Sequence, residues 1–422
     1  MSVNYEDKIY QILQEELVPA KGCTEPIAIA FASAKARELL GAIPESIEVS
    51  ASGNLIKNIR CVTVPKTGNL VGIEAACIAG MIGGDSSLGL EVISNITDDD
   101  LQIINQYILK NMVRTTLLDT NLNLHFTLKA EHQEDQVIIE IKNLHTNIVK
   151  ITKNDHVIFE KENVKEEYFG VETDRSFLTI ESIINFAENA DPIRLKKILS
   201  RQIEDNMAIS EKGINGQFGV EIGKTILKHD KTIFGKIKAY TAAASEARMS
   251  GCSLPVITNS GSGNQGIASS IPIIIYANYL GVSEEKKLRA LVLSNLLTIY
   301  QKGYIGRLSA FCGAISATVS SGATLTFLEG GSAEQVKMTI TNALANVSGV
   351  VCDGAKPSCA SKIVTGLEAS FLGHHIAMEN KQYNPLSGIL KDSADHTITA
   401  VGKMASEGMK DTDKVILAMM LE

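Results

Sequence analysis

Seven cysteines are spread over 422 residues, and four of them stand where a thiol is worth more for its chemistry than for its bulk. Cys312 lies in SAFCGAIS, and Cys352 and Cys359 lie seven positions apart in GVVCDGAKPSCASKI. Gly, Ser and Ala are frequent around them, and an Asp-Gly turn and a Lys-Pro pair separate the last two. One reading is three unrelated small side chains. The other is three soft thiolates on a shared metal centre. A zinc knuckle would need cysteines paired across two residues, and that pairing is missing. A [4Fe–4S] cluster on three cysteines leaves one iron open as a Lewis acid. Cys23, in VPAKGCTEPIA, is the natural fourth member. It precedes a helix expected to begin near Glu25 or Pro26, and Lys21 stands two residues before it. Both features should lower its pKa. Its thiolate could cap the fourth iron or act as a base, with Glu25 and Lys21 behind it. Cys61, Cys77 and Cys252 read as small hydrophobes.

A second loaded stretch is ITNSGSGNQGIASSIP, residues 257–272. Ser260, Gly261, Ser262, Gly263, Asn264 and Gln265 precede an apolar run. Glycines at a helix start let backbone N–H groups turn toward an anion, so this is either a carboxylate or phosphate site or a plain Gly-rich turn. It matches neither the dinucleotide fingerprint nor the P-loop. Lys302 and Lys356 are candidate partners for a substrate carboxylate, and a solvated lysine is the plainer reading of each. No lysine stands in a context assignable to a Schiff base, so pyridoxal phosphate is not expected. The eight histidines show no metal-ligand spacing. The adjacent His374 and His375 would point about 100° apart on a helix.

The elements that must position these groups fall into two kinds. Ser283 and Ser332 read as N-caps, the latter with Gln335 in a capping-box pattern; Gly303 and Gly349 read as the matching stops. Asp191-Pro192 opens another helix, and residues 5–17 and 25–40 also read as helical. From Thr97 an amphipathic helix is apolar at 101, 104, 108 and 112. Alternation then takes over at Leu124, Phe126, Leu128 and Ala130, at Val137, Ile139 and Ile141, and again from Val157. The expected architecture is a mainly α catalytic core, residues 1–87 and 171–422, carrying an inserted α+β domain at 88–170. That insert shows no identifiable chemistry in its composition.

The formal charge of −8 argues against nucleic-acid and anionic-membrane partners. The N-terminal segment is acidic rather than basic and apolar, so a cytoplasmic location is expected, where cysteines serve metals or catalysis rather than disulfides. Leu308–Leu328 carries no charge over a membrane-spanning length but is full of Ser, Thr and Gly, so it is expected as a helix buried in protein. Small-residue helices are compatible with a homodimer.

The motifs GCTEP at 22–26, SGSGNQG at 260–266, FCGAISA at 311–317 and GVVCDGAKPSCASKI together resemble the L-cysteine desulfidase family, related to the α part of bacterial iron–sulfur L-serine dehydratases. The resemblance covers nearly the whole chain. It implies a [4Fe–4S] cluster on Cys312, Cys352 and Cys359, and β-elimination from a small amino acid. Cysteine would yield pyruvate, ammonia and sulfide; serine is the alternative substrate. Some serine-branch members carry a C-terminal cysteine that reaches the cluster, whereas this chain ends AMMLE. Cys23 in GCTEP is the feature that resembles the desulfidase branch. A cluster-bearing redox sensor without turnover is a reading from another class, although nothing here resembles an output module.

Overall fold

Alternating apolar side chains build a six-stranded mixed sheet. In the computed structural model, which describes residues 5–161 and 173–422, its six strands run in the spatial order Val113–Leu117, Ser46–Ala51, His125–His132, Asp135–Lys142, Ile148–Lys153, His156–Glu160. The first pair is parallel and the rest are antiparallel. The register sets Val49 opposite Leu128, Leu128 opposite Ile139, and Ile139 opposite Ile151, so one face is a continuous apolar row. Helices Thr24–Leu40 and Gly72–Gly83 belong to the same core. They meet backbone to backbone at Gly80, where a Cβ would lie 2.1 Å from the Ala30 carbonyl oxygen. The helix expected from Thr97 runs Asp98–Ile108 behind a complete Thr97/Asp100 capping box.

This sheet unit is broader than the expected insert at 88–170. It draws in Ser46–Ala51 and the two helices, all upstream of residue 88, and its core extends from Ile27 to Ile151 with Leu308 added. Residues 162–170 of that span lie outside the described residues.

The larger core is helical, as the caps foretell. Asp191 caps Pro192–Asn215, Ser283 caps Glu284–Ile305, and Ser332 with Gln335 boxes Ala333–Asn346. Ala314–Leu328 runs through their midst and packs on Gly263–Leu280, Glu284–Ile305, Ala333–Asn346 and Cys359–Met378. Its buried hydroxyls bond back along the helix, Ser320 to the Ser316 carbonyl and Thr324 to the Ser320 carbonyl, each at 2.8 Å. Small satisfied side chains let neighbours come close, which accounts for the uncharged run. Among the described residues no helix is long and apolar enough to cross a membrane.

Candidate functional site

One short strand pair aligns the first two motifs. Pro19–Lys21 pairs antiparallel with Pro255–Ile257, Ala20 opposite Val256. The chain then turns at Gly22, φ +68°, where a Cβ would lie 2.4 Å from Pro65. Only glycine fits that turn and that contact. Cys23 follows and caps the Thr24–Leu40 helix. On the other side Ser260 and Gly261 turn with positive φ before the Gly263–Leu280 helix begins. Thr24 Oγ1 donates to the Gly261 carbonyl at 2.9 Å and ties the two turns together.

A second clamp aligns the other cysteines. Cys312 N–H donates to the Val350 carbonyl at 2.8 Å and Cys352 N–H to the Ala310 carbonyl at 2.7 Å, around a bridge between Phe311 and Val351. Cys359 opens the Cys359–Met378 helix. The turn between them passes so close to the Gly53–Ile59 helix that a Cβ on Gly354, φ +99°, would lie 2.5 Å from the Lys57 carbonyl oxygen. Lys57 Nζ reaches over to donate to the Cys352 carbonyl at 3.1 Å and pairs with Asp413 at 2.5 Å.

Cys23, Cys312, Cys352 and Cys359 thereby line one cavity of about 80 Å³. Gly261, Ser262, Asn264 and Gln265 share its wall, with Glu25 and Lys302. Ser260 turns instead to Asn259, its hydroxyl donating at 2.8 Å, and Gly263 makes room for a neighbouring guanidinium. A much larger open groove, about 990 Å³ between residues 388 and 408, contains none of these motifs.

The thiols feel one another. Burial, then Cys352 and Cys359, pushes Cys312 up to about 12, and burial raises Cys359 as well. Among the described residues no three Cys, His, Asp or Glu side chains converge on a point that a single ion would occupy. A cluster asks for a wider spacing, because each thiolate takes a different iron. Thiolates are the donors such a group takes, and these thiols share one cavity.

Three expectations change. Cys23 was expected to have a lowered pKa, but burial, and then Glu25, raises it well above the usual thiol value. The desolvation of a fully enclosed thiol outweighs the helix N-terminus. Its Sγ donates to Glu25 Oε2 at 2.8 Å. Lys21 does not reach the cavity; its charge faces Glu91 and Lys66. Lys356 is taken by Asp353, which Lys356 and Lys362 together hold at about 2 against the opposing effect of burial. Lys302 does line the cavity, and burial brings it down to about 8 against the pull of Cys352 and Cys312.

Among the wall residues, the charged or titratable ones without a counterpart in the sequence reading are His145, Arg248 and Arg307. His145 comes from the turn between two strands of the sheet unit, so that unit contributes a titratable side chain to the wall. Burial brings it down to about 4, leaving the ring neutral, and its Nε2 has no hydrogen-bond partner among the described residues. Arg307 is anchored by Glu16 at 2.7 Å. Glu16 also binds Arg175 at 2.6 Å, and the two arginines hold its carboxyl below the usual range although burial opposes them. Arg307 stands just before FCGAISA, whereas His145 and Arg248 have no motif beside them.

Residues 87–418 match the family model described as serine dehydratase alpha chain. The chain belongs to that family. Cys312, Cys352, Cys359, Arg248 and the SGSGNQG loop fall within the matched span, whereas Cys23 and Glu25 precede it. Relatives similar along their whole length include a UPF0597 protein of Treponema denticola, 45% identical over 422 residues, covering 99% of this chain and 98% of its own. One of Lachnoclostridium phytofermentans is 47% identical over 415 residues, covering 98% and 99%. One of Bacteroides fragilis is 37% identical over 427 residues, covering 100% and 99%.

Proposed function

We propose that this chain is an iron–sulfur-dependent β-elimination lyase that converts L-cysteine and water to pyruvate, ammonia and hydrogen sulfide. The observation that carries the reading is the convergence of four cysteines from distant segments on one cavity with the SGSGNQG helix start. The family it belongs to is described by a dehydratase, which performs the same elimination with hydroxide in place of sulfide as the leaving group. That description favours L-serine as a second reading. Cys23 in GCTEP, the feature resembling the desulfidase branch, favours cysteine.

Cys312, Cys352 and Cys359 would hold a [4Fe–4S] cluster, which when bound supplies an open Lewis-acidic iron. The remaining chemistry belongs to the chain. The positive groups Lys302 and Arg307, with the loop amides, stabilise charge that develops on the substrate as its α-proton leaves. Two groups can receive that proton. Neutral His145 has a free Nε2. Cys23 must first pass its own proton to Glu25 along their existing hydrogen bond. His145 is therefore the readier acceptor as the site stands, and Cys23 suits a group that moves aside or acts once ionised. Loss of the β-substituent leaves aminoacrylate, which tautomerises and takes up water to give pyruvate and ammonia. Leu308 and Phe311 form the apolar part of the wall and limit water during the first step.

Anaerobic purification followed by iron and sulfide analysis, an absorption spectrum, and parallel turnover assays with L-cysteine and L-serine test the reading. Cys352→Ala should lose iron and turnover together. Serine turnover without sulfide release selects the second reading. A cluster without turnover of either substrate points instead to a redox sensor.

A further inference from the structure

Arg248 ends the Ile233–Met249 helix and is 2% exposed. A guanidinium this deeply buried ordinarily faces a carboxylate, because an unpaired buried charge is costly. Among the described residues none pairs with it. Among the described residues the guanidinium's one hydrogen bond is from Nη1 to the Asn264 side-chain oxygen at 3.2 Å. Nε and Nη2 are enclosed and have no acceptor. These two nitrogens share one edge of the planar fork, the edge that takes a carboxylate through two parallel hydrogen bonds.

The surroundings are shaped around that edge. A Cβ on Gly263 would lie 2.3 Å from Arg248 Nε and 2.6 Å from its Cζ, so glycine there is what admits the guanidinium. Asn264 is itself steadied by Ser245, whose hydroxyl donates to the same oxygen at 3.1 Å. Two further buried polar atoms on this wall are unpartnered: Gln265 Oε1, an acceptor, and His145 Nε2. Gln265 is 4% exposed and His145 5%. An unfilled pair of cationic donors beside an unfilled neutral acceptor complements a zwitterion, with a carboxylate for the donors and an ammonium for the acceptor.

We propose that Arg248 is the carboxylate anchor of the cavity, taking the α-carboxylate of a small amino acid through Nε and Nη2, with Gln265 Oε1 receiving its α-ammonium. This rests on reading the cavity as an amino-acid site, and it revises the part played by the SGSGNQG loop. Gly263 and Asn264 position the guanidinium, and the loop's backbone amides are secondary. The anchor selects for a free α-carboxylate and leaves the β-substituent directed away from Arg248.

L-alanine is a suitable probe, since it carries both charged groups and has no β-leaving group. Titration calorimetry on the anaerobically purified full chain should show L-alanine binding and at least tenfold weaker binding of L-alaninamide, which lacks the carboxylate charge. Arg248→Lys keeps the charge but loses the side-on fork, and should weaken L-alanine binding at least tenfold. With an eliminable substrate it should raise KM by a similar factor while kcat changes less than threefold, the signature of lost uniform binding. Asn264→Asp supplies a competing carboxylate to the same guanidinium and should weaken L-alanine likewise; it carries the test if Arg248→Lys does not fold. Equal binding of L-alanine and its amide, no L-alanine binding at millimolar concentration, or unchanged affinity in a folded variant overturns the anchor. Arg248-dependent L-alanine binding in a protein that eliminates neither cysteine nor serine leaves the anchor standing and removes the lyase reading.

Discussion

Replacing Asp413 by Ala should destabilise the protein by about 2–3 kcal/mol, and replacing Lys57 as well should restore most of the loss. The Lys57 side chain is 1% exposed and its amine has two partners, Asp413 Oδ1 at 2.5 Å and the Cys352 carbonyl at 3.1 Å. Removing the carboxylate leaves an ammonium in a dry wall facing one neutral acceptor. Stranding one member of a fully buried pair costs about 3–5 kcal/mol. The Asp413 side chain keeps 15% exposure, so water can reach the gap, and the estimate drops to about 2–3 kcal/mol. Urea unfolding of wild type, Asp413→Ala, Lys57→Met and Lys57→Met/Asp413→Leu measures each corner of the cycle. The apolar double variant should fall within about 1 kcal/mol of wild type, because no charge is left uncompensated. The same amine steadies the Cys352 carbonyl, so Asp413→Ala should also retain less iron per chain. Asp413→Ala with wild-type stability, or a double variant that loses the sum of the singles, refutes the reasoning.

Cys23→Ser should keep most of the iron and leave KM within a few-fold, while turnover falls about 100-fold or more if this thiol moves a proton; normal turnover removes that role. His145 should make the fold acid-sensitive. Its pKa is about 4 in the folded protein against the ordinary 6.5, so the unfolded chain binds the extra proton between those values. Stability is then complete above pH 6.5, is lost as pH falls toward 4, and changes no further below that through this group. The full loss is roughly 3 kcal/mol. The stability difference between wild type and His145→Gln should therefore depend on pH across that window, and parallel curves would contradict the assignment. Gly80→Ala should cost about 3 kcal/mol by urea unfolding, since the new Cβ meets the backbone of the facing helix at 2.1 Å, where no rotamer can yield; a neutral effect would mean that the two helices can separate freely.

What could be read from the sequence was whatever a local pattern encodes. The Ser332/Gln335 box and the alternation at Leu124–Ile141 are contiguous signals, and both became the expected elements. Strand Ser46–Ala51 is as regular as the others, with Ile47, Val49 and Ala51 inward, but its neighbours begin more than sixty positions later, at Val113 and His125. Only pairing at that distance shows that the sheet unit reaches upstream of residue 88. The site divides in the same way. Small residues around Cys312 and Cys359 and the short loop from Cys352 to Cys359 mark the three thiols, whereas Arg248 in EARMSG looks like an ordinary basic helix end. Its meaning comes from burial and missing partners. The direction of the Cys23 shift failed for a related reason: helix position and a nearby lysine are visible in sequence, and desolvation is not.

The Lys57–Asp413 contact also orders events during synthesis. Asp413 follows Lys57 by 356 positions. At roughly 5–20 residues per second a ribosome needs on the order of 20–70 s to cover that distance. Nearly all of the sheet unit's core, from Ile27 to Ile151, has been made long before then. Cys23 and His145 are thus made well before Cys352 and Cys359, and the loop that bears Cys352 gains its counter-charged brace later still. Products of stalled translation would accordingly carry the sheet unit without the segments that bear Cys352, Cys359 and Asp413.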